Sequence, residues 1–136
     1  MTSSDELQKL LRDTLEATPG VMDLAYRVFD HVPAKPFGPK NSYISFGAFD
    51  TIEDDADCIS GIVTTAQIDV WSAKEGALEC RKLTDLVRRA LHHKSLSLAE
   101  HALVDTHVPL TRVFPDPSGY HHGVVQVECT IEERQE

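Results

Sequence analysis

Long apolar runs are missing from this 136-residue chain, and no stretch approaches the roughly 18 consecutive apolar residues of a membrane-spanning helix, so none is expected. Cysteine is scarce. Cys58, Cys80 and Cys129 are odd in number, far apart and without a Cys-x-x-Cys pair, which points away from both a disulfide framework and a zinc site. Reduced, structural thiols are the expectation. Positive charge is also in short supply: 13 Lys and Arg stand against 22 Asp and Glu, a formal charge of −9. That balance argues against a protein that grips nucleic acid, because neutralisation of phosphates by Lys and Arg dominates such binding. An acidic surface is, however, what lets DNA pass without sticking. The N-terminal Met-Thr-Ser-Ser-Asp-Glu is polar and acidic, so no signal peptide is expected, and the protein should be made in the cytoplasm and used there or built into something larger. The length suits one domain, here taken as residues 1–136.

What is present is a sharp change of period. In residues 62–72 (Ile-Val-Thr-Thr-Ala-Gln-Ile-Asp-Val-Trp-Ser) the even positions are mostly apolar and the odd ones mostly polar, as a half-buried strand requires. A helical period follows. Leu83, Leu86, Val87, Ala90 and Leu91 make one apolar stripe, opposed by Arg81, Lys82, Asp85, Arg88 and Arg89. Ser72-Ala73-Lys74-Glu75 reads as a capping box at the junction, and Arg88, Arg89, His92, His93 and Lys94 suit the negative end of the helix dipole. The junction lacks the glycines of a phosphate cradle.

The N-terminal helix carries Leu7, Leu10, Leu11, Thr14 and Leu15 on one face, with Asp5, Glu6, Lys9, Arg12, Asp13 and Glu16 around the rest, and Thr18-Pro19-Gly20 ends it. A short helical or irregular piece precedes a strand over residues 26–32, a three-proline loop over 33–41 and a second strand over 42–49. Asp50, Glu53, Asp54, Asp55 and Asp57 then join this strand to the 62–72 strand, giving a long hairpin with an acidic tip. Strands over 103–114 and 123–132 flank the turn formers of 115–120. Val125, Val127, Cys129 and Ile131 share the inward phase, and Pro109 marks an edge or a bulge. The order helix, three strands, helix, two strands predicts an α+β fold, one mixed and mostly antiparallel sheet with two helices packed on one face.

Candidate chemistry is thin. Neither His92-His93 nor His121-His122 makes a ready chelate, since neighbours diverge on strand and helix alike. The acidic tip lacks the glycine and spacing of a calcium loop. No Gly-x-Ser-x-Gly elbow is present. No catalytic residue, cofactor or metal is therefore assigned. Trp71, in the polar phase of its strand, either covers the helix start or open sheet face or anchors an interface.

The combination is more specific than its parts. A Val-Phe-Asp-x-Val-Pro strand end at residues 28–33, Ser-Tyr-Ile-Ser-Phe-Gly at 42–47, Asp69-Val70-Trp71-Ser72, a helix start containing Gly76, and the late Asp-Pro-Ser-Gly-Tyr-His-His-Gly-Val of 116–124 follow in order. In this arrangement the chain resembles the tail-completion or tail-terminator family of long-tailed phages, prophages and gene transfer agents, over nearly its whole length. The resemblance implies a structural virion protein, not an enzyme, which caps the tail tube as a ring, typically of six subunits. It implies three partners: further copies of itself, the tail tube protein and a head-tail connector protein. It further implies that DNA passes the lumen without specific binding and that no membrane is involved. The implied location is the head-proximal end of the tail, assembled in the host cytoplasm. Candidate interface or lumen residues are Asp50, Glu53, Asp54, Asp55 and Asp57 on the tip, Phe37 and Lys40 in the proline-rich loop, and Trp71. The motif residues Asp69, Val70, Trp71, Ser72, Asp116, Gly119, His122 and Gly123 read as structural: Gly119 and Gly123 supply positive φ angles and Asp116 caps its turn. Rival readings are a small cytoplasmic binding module or enzyme with a cleft between helix and sheet, and a head-completion protein one layer up in the same particle.

Overall fold

The computed structural model describes residues 1–55 and 60–134. Its elements run α1 (Ser3–Glu16), α2 (Pro19–Leu24), β1 (Ala25–Phe29), β2 (Ser42–Glu53), β3 (Gly61–Ser72), α3 (Leu78–Leu91), β4 (Ala102–Pro115) and β5 (His121–Glu132). One sheet has the order β1-β2-β3-β5-β4, parallel between β1 and β2 and antiparallel elsewhere. The fold is thus α+β with a mixed sheet, as the sequence predicts, with the short piece before β1 forming a third helix.

Period decides the faces. The even positions of β3, from Ile62 to Val70, are buried under the helices together with Val125, Val127, Cys129 and Ile131 of β5. Leu7, Leu11 and Leu15 of α1 and Leu83, Val87 and Leu91 of α3 are fully buried in the same core. A buried leucine contributes about 1.5–3 kcal/mol, so these two stripes fix the helical layer. The odd positions of β3 and the even positions of β5 form the opposite, uncovered face. β4 lies at the sheet edge and its register slips between His107 and Leu110, where Pro109 cannot donate to the ladder.

Three local expectations are corrected. The Ser72-Glu75 capping box does not form: Ser72 Oγ accepts only from the Lys74 amide at 3.2 Å, and α3 begins at Leu78 behind Ala77 with no side-chain cap. β3 runs straight through Ser72, which is paired with both Ser42 and His121, so its amide belongs to the sheet and not to a helix start. Glu6 does not lie on the outer surface of α1; its carboxylate is buried and accepts from the amides of Ala99 and Glu100 at 3.0 Å, tying down the connection before β4. The strand before the proline-rich loop ends at Phe29, while β2 extends past residue 49 to Glu53.

Candidate functional site

Strand register places four side chains in one row across the uncovered face. Tyr43 pairs with Trp71, Trp71 with His122, and His122 with Phe114, so an aromatic row crosses β2, β3, β5 and β4 at one end of the sheet. Trp71 and His122 stack with ring centroids 3.8 Å apart and an 11° interplanar angle, and Phe114 leans on the other side of the imidazole at 4.9 Å. One carboxylate orients this stack. Asp69 Oδ1 lies 2.7 Å from His122 Nε2 and also accepts from Gln67 Nε2 at 2.9 Å. Gly47, opposite, leaves room for this carboxylate: a Cβ there would stand 2.7 Å from Asp69 Oδ2, and the side chain would have to shift. The Asp69 and His122 side chains are largely buried, and the pair holds a flat stacked patch instead of presenting an imidazole nitrogen within a cavity.

The proline-rich loop folds against this row. Phe37 packs edge-on against Tyr43 at 4.9 Å and against Tyr120 at 5.2 Å, and Phe29 reaches Tyr43 at 5.9 Å. Burial, then the nearby Tyr120, pushes the Tyr43 phenol above its ordinary range. Between loop and row lies an open groove of about 530 Å³ lined by Val32, Pro36, Phe37, Tyr43 and Tyr120. The loop is pinned underneath: Lys40 Nζ donates to the Met22 carbonyl, the Ala73 amide donates to Asn41 O at 2.8 Å, and Gly38 takes φ +55° where a Cβ would strike the Tyr26 ring. Lys40 is therefore committed to holding the loop.

The motif residues divide into two kinds. Asp116 caps its turn, accepting from the Ser118 amide at 3.0 Å, and these Ser118 hydrogen bonds hold its carboxyl below the usual range. Gly119 takes φ +94°, as expected. Gly123 does not use positive φ, contrary to the expectation; its Cβ would drive into Thr84 Oγ1 and crowd Val70 Cβ at 3.2 Å, so it is glycine because α3 presses on β5 there. Val70 and Ser72 face the core, Ser72 fully buried. Cys80 and Cys129 are buried free thiols, pushed by burial to about 11 and about 12.

The acidic residues sit elsewhere. Asp50 and Glu53 end β2, and Asp54 and Asp55 follow it, all four exposed. Asp55 Oδ1 accepts from the Gly61 amide at 3.1 Å and closes the base of the hairpin. Asp57 and Cys58 lie outside the described residues. The structure thus gathers Asp69, Trp71, His122 and, through Tyr43, Phe37, while the acidic hairpin occupies the other end of β3. Tyr43 and Phe114 escaped the sequence reading because only the strand register reveals that they share a row with Trp71, and Tyr120 because it joins them only through the fold of the Phe37 loop.

Comparisons with known proteins bear on this architecture. No curated protein matches the chain. Eight chains among solved structures do match. One comes from the virion of a native gene transfer agent particle, with 21% sequence identity, a TM-score of 0.84, and coverage of 95% of this chain and 96% of that one, so the fold is shared end to end. A family model described as tail completion protein gp17 matches residues 9–132. The chain therefore belongs to the tail completion protein gp17 family and is a phage-type tail structural protein.

Proposed function

We propose that this chain closes the head-proximal end of a tail tube as a six-membered ring, stopping tube growth and offering the surface on which a head-tail connector docks. The observation that carries the reading is the family match over residues 9–132, joined by end-to-end agreement of fold with a chain of a gene transfer agent virion. Residues 1–136 act as one domain. Mechanism in this reading is geometry: a heterologous interface repeated by rotation closes into a ring with two unlike faces, one for the tube and one for the connector. The two ends of this molecule are unlike in chemistry, one carrying Glu53, Asp54 and Asp55 and the other the aromatic row with the Phe37 loop. Such polarity suits a part that meets different neighbours on different sides.

Charge supports the same reading. With a formal charge of −9, copies lining a channel repel passing DNA and let it slide. The acidic hairpin and the proline-rich loop are the elements assigned to the lumen or to a neighbouring copy, and Trp71 with its stacked partner forms a flat, half-buried patch of the kind that anchors interfaces. The particle assembles in the host cytoplasm.

Polymerisation of the cognate tube protein, followed by electron microscopy with and without this chain, tests the proposal. The expected result is tubes that stop growing once the chain is added. Tubes that elongate identically in both conditions overturn it and shift weight to a binding module using the groove beside Phe37.

A further inference from the structure

The two most exposed large hydrophobic side chains among the described residues are Leu78, at 79%, and Ile52, at 66%. Their charge surroundings differ in sign: Ile52 stands among carboxylates, and Leu78 stands on a helix face where cations outnumber carboxylates. Ile52 is flanked by Asp50, Glu53 and Asp54 at the hairpin end of β2. Leu78 opens α3, with Arg81 and Lys82 one turn on and Asp85 and Arg89 further along the same outer stripe, while Lys74 lies in the turn before the helix. Glu75 and Asp85 are the acidic residues nearby, and Glu79 is turned inwards to Ser42 Oγ at 2.6 Å.

Among the described residues, Arg81, Lys82, Arg88 and Arg89 make no ion pair, while Lys74 lies 3.9 Å from Glu79. The first turn of α3 also lacks a side-chain cap, so the positive end of its dipole adds to the field.

The two patches cannot meet in one molecule. Cys80 packs beside Val70, whereas Ile52 pairs with Val63 at the other end of β3, seven residues and so roughly 23 Å away at about 3.3 Å per residue.

We infer that the acidic end of β2 in one copy, Asp50, Glu53 and Asp54 around Ile52, docks on the net basic outer face of α3 of the next copy, with Ile52 of the first set against Leu78 of the second. Charge complementarity, with an exposed aliphatic side chain within each patch, points to a second copy of this chain as the occupant. Because each copy carries one donor patch and one acceptor patch at opposite ends, the contact is heterologous and propagates around a ring. The apolar pair forms the dry centre and the opposite charges form the rim that sets register and speeds encounter. The inference rests on the ring reading and specifies which surfaces make it.

Charge reversal tests it with the full chain on tail tubes. Glu53→Lys with Asp54→Lys reverses the hairpin, and Arg81→Glu with Lys82→Glu reverses the helix face; Asp55 is left intact because it closes the hairpin base. All four positions are exposed, and circular dichroism confirms that each variant keeps its fold. The expected result is that either reversal alone weakens self-association, read by sedimentation or by occupancy of tube ends, by about tenfold or more, and that the chain carrying both recovers to within about threefold. Reversals that leave capping unchanged, or a combined variant no better than either alone, overturn this interface while the ring reading stands. A native chain that neither self-associates nor caps tubes overturns both.

Discussion

Substituting Gly123 by alanine probes the seam between sheet and helix where the motif of residues 116–124 is read into the fold. The backbone there is ordinary, so no strain opposes a Cβ; space does. The added methyl is driven into Thr84 Oγ1, and Val70 Cβ at 3.2 Å and Cys80 Sγ at 3.4 Å leave it no side exit. Thr84 is buried on α3 and, being β-branched, has few rotamers with which to yield. Overpacking of this kind costs about 1–3 kcal/mol, and the crowding on three sides places it at about 2–3. Reduced freedom of the unfolded chain returns about 0.4–1 kcal/mol. The net loss is about 1–2.5 kcal/mol, a fall in Tm of roughly 3–10 °C for a chain of this size. Urea unfolding of Gly123→Ala in the native background and in a Thr84→Ala background measures it, and removal of the Thr84 side chain should recover at least half of the loss. A neutral Gly123→Ala, or an equal loss in both backgrounds, refutes the argument.

Four further outcomes follow from particular contacts. Glu6→Ala should destabilise by about 1–3 kcal/mol and raise amide exchange at Ala99 and Glu100, since both amides lose their acceptor. Asp69→Ala leaves His122 and Gln67 without their shared acceptor, and should lower the urea midpoint while changing the fluorescence of Trp71, whose ring rests on that histidine. Ser118 hydrogen bonds depress the Asp116 carboxyl, so the stabilisation they supply is present above the usual aspartate value and is lost as pH falls through the lower folded one; Asp116→Asn should flatten the acid side of the stability profile, and carboxyl NMR should show a midpoint below that of an unfolded reference. In a Cys58→Ser background, Cys80 and Cys129 should resist alkylation at pH 8 until the chain is unfolded, because burial holds both thiols protonated.

Where hydrophobic period spoke, the sequence was enough. The buried phase of β3, the inward set Val125 to Ile131, and the stripes of α1 and α3 all follow from spacings of 2 and 3.6 residues. Pro109 located both the edge strand and its slipped register. Local motifs competed less well with tertiary contacts. Ser72-x-x-Glu75 has the letters of a capping box, yet the ladder to Ser42 and His121 holds Ser72 in the sheet. Glu6 has the look of a surface residue in the helical pattern, but a loop some 90 positions later presents two amides to it. Gly123 illustrates the same limit: its need for a missing side chain comes from α3, not from its own backbone. The Asp69–His122–Trp71 stack is half legible, since each member stands in a sequence motif while their meeting depends on the register between β3 and β5.

The most direct test of the central claim is cryo-electron microscopy of tube ends after addition of the purified chain. The expected density is a single layer of six copies closing each head-proximal end, with this fold recognisable and successive copies related by rotation. Open tube ends, or the chain bound along the tube wall instead of at its terminus, contradict it.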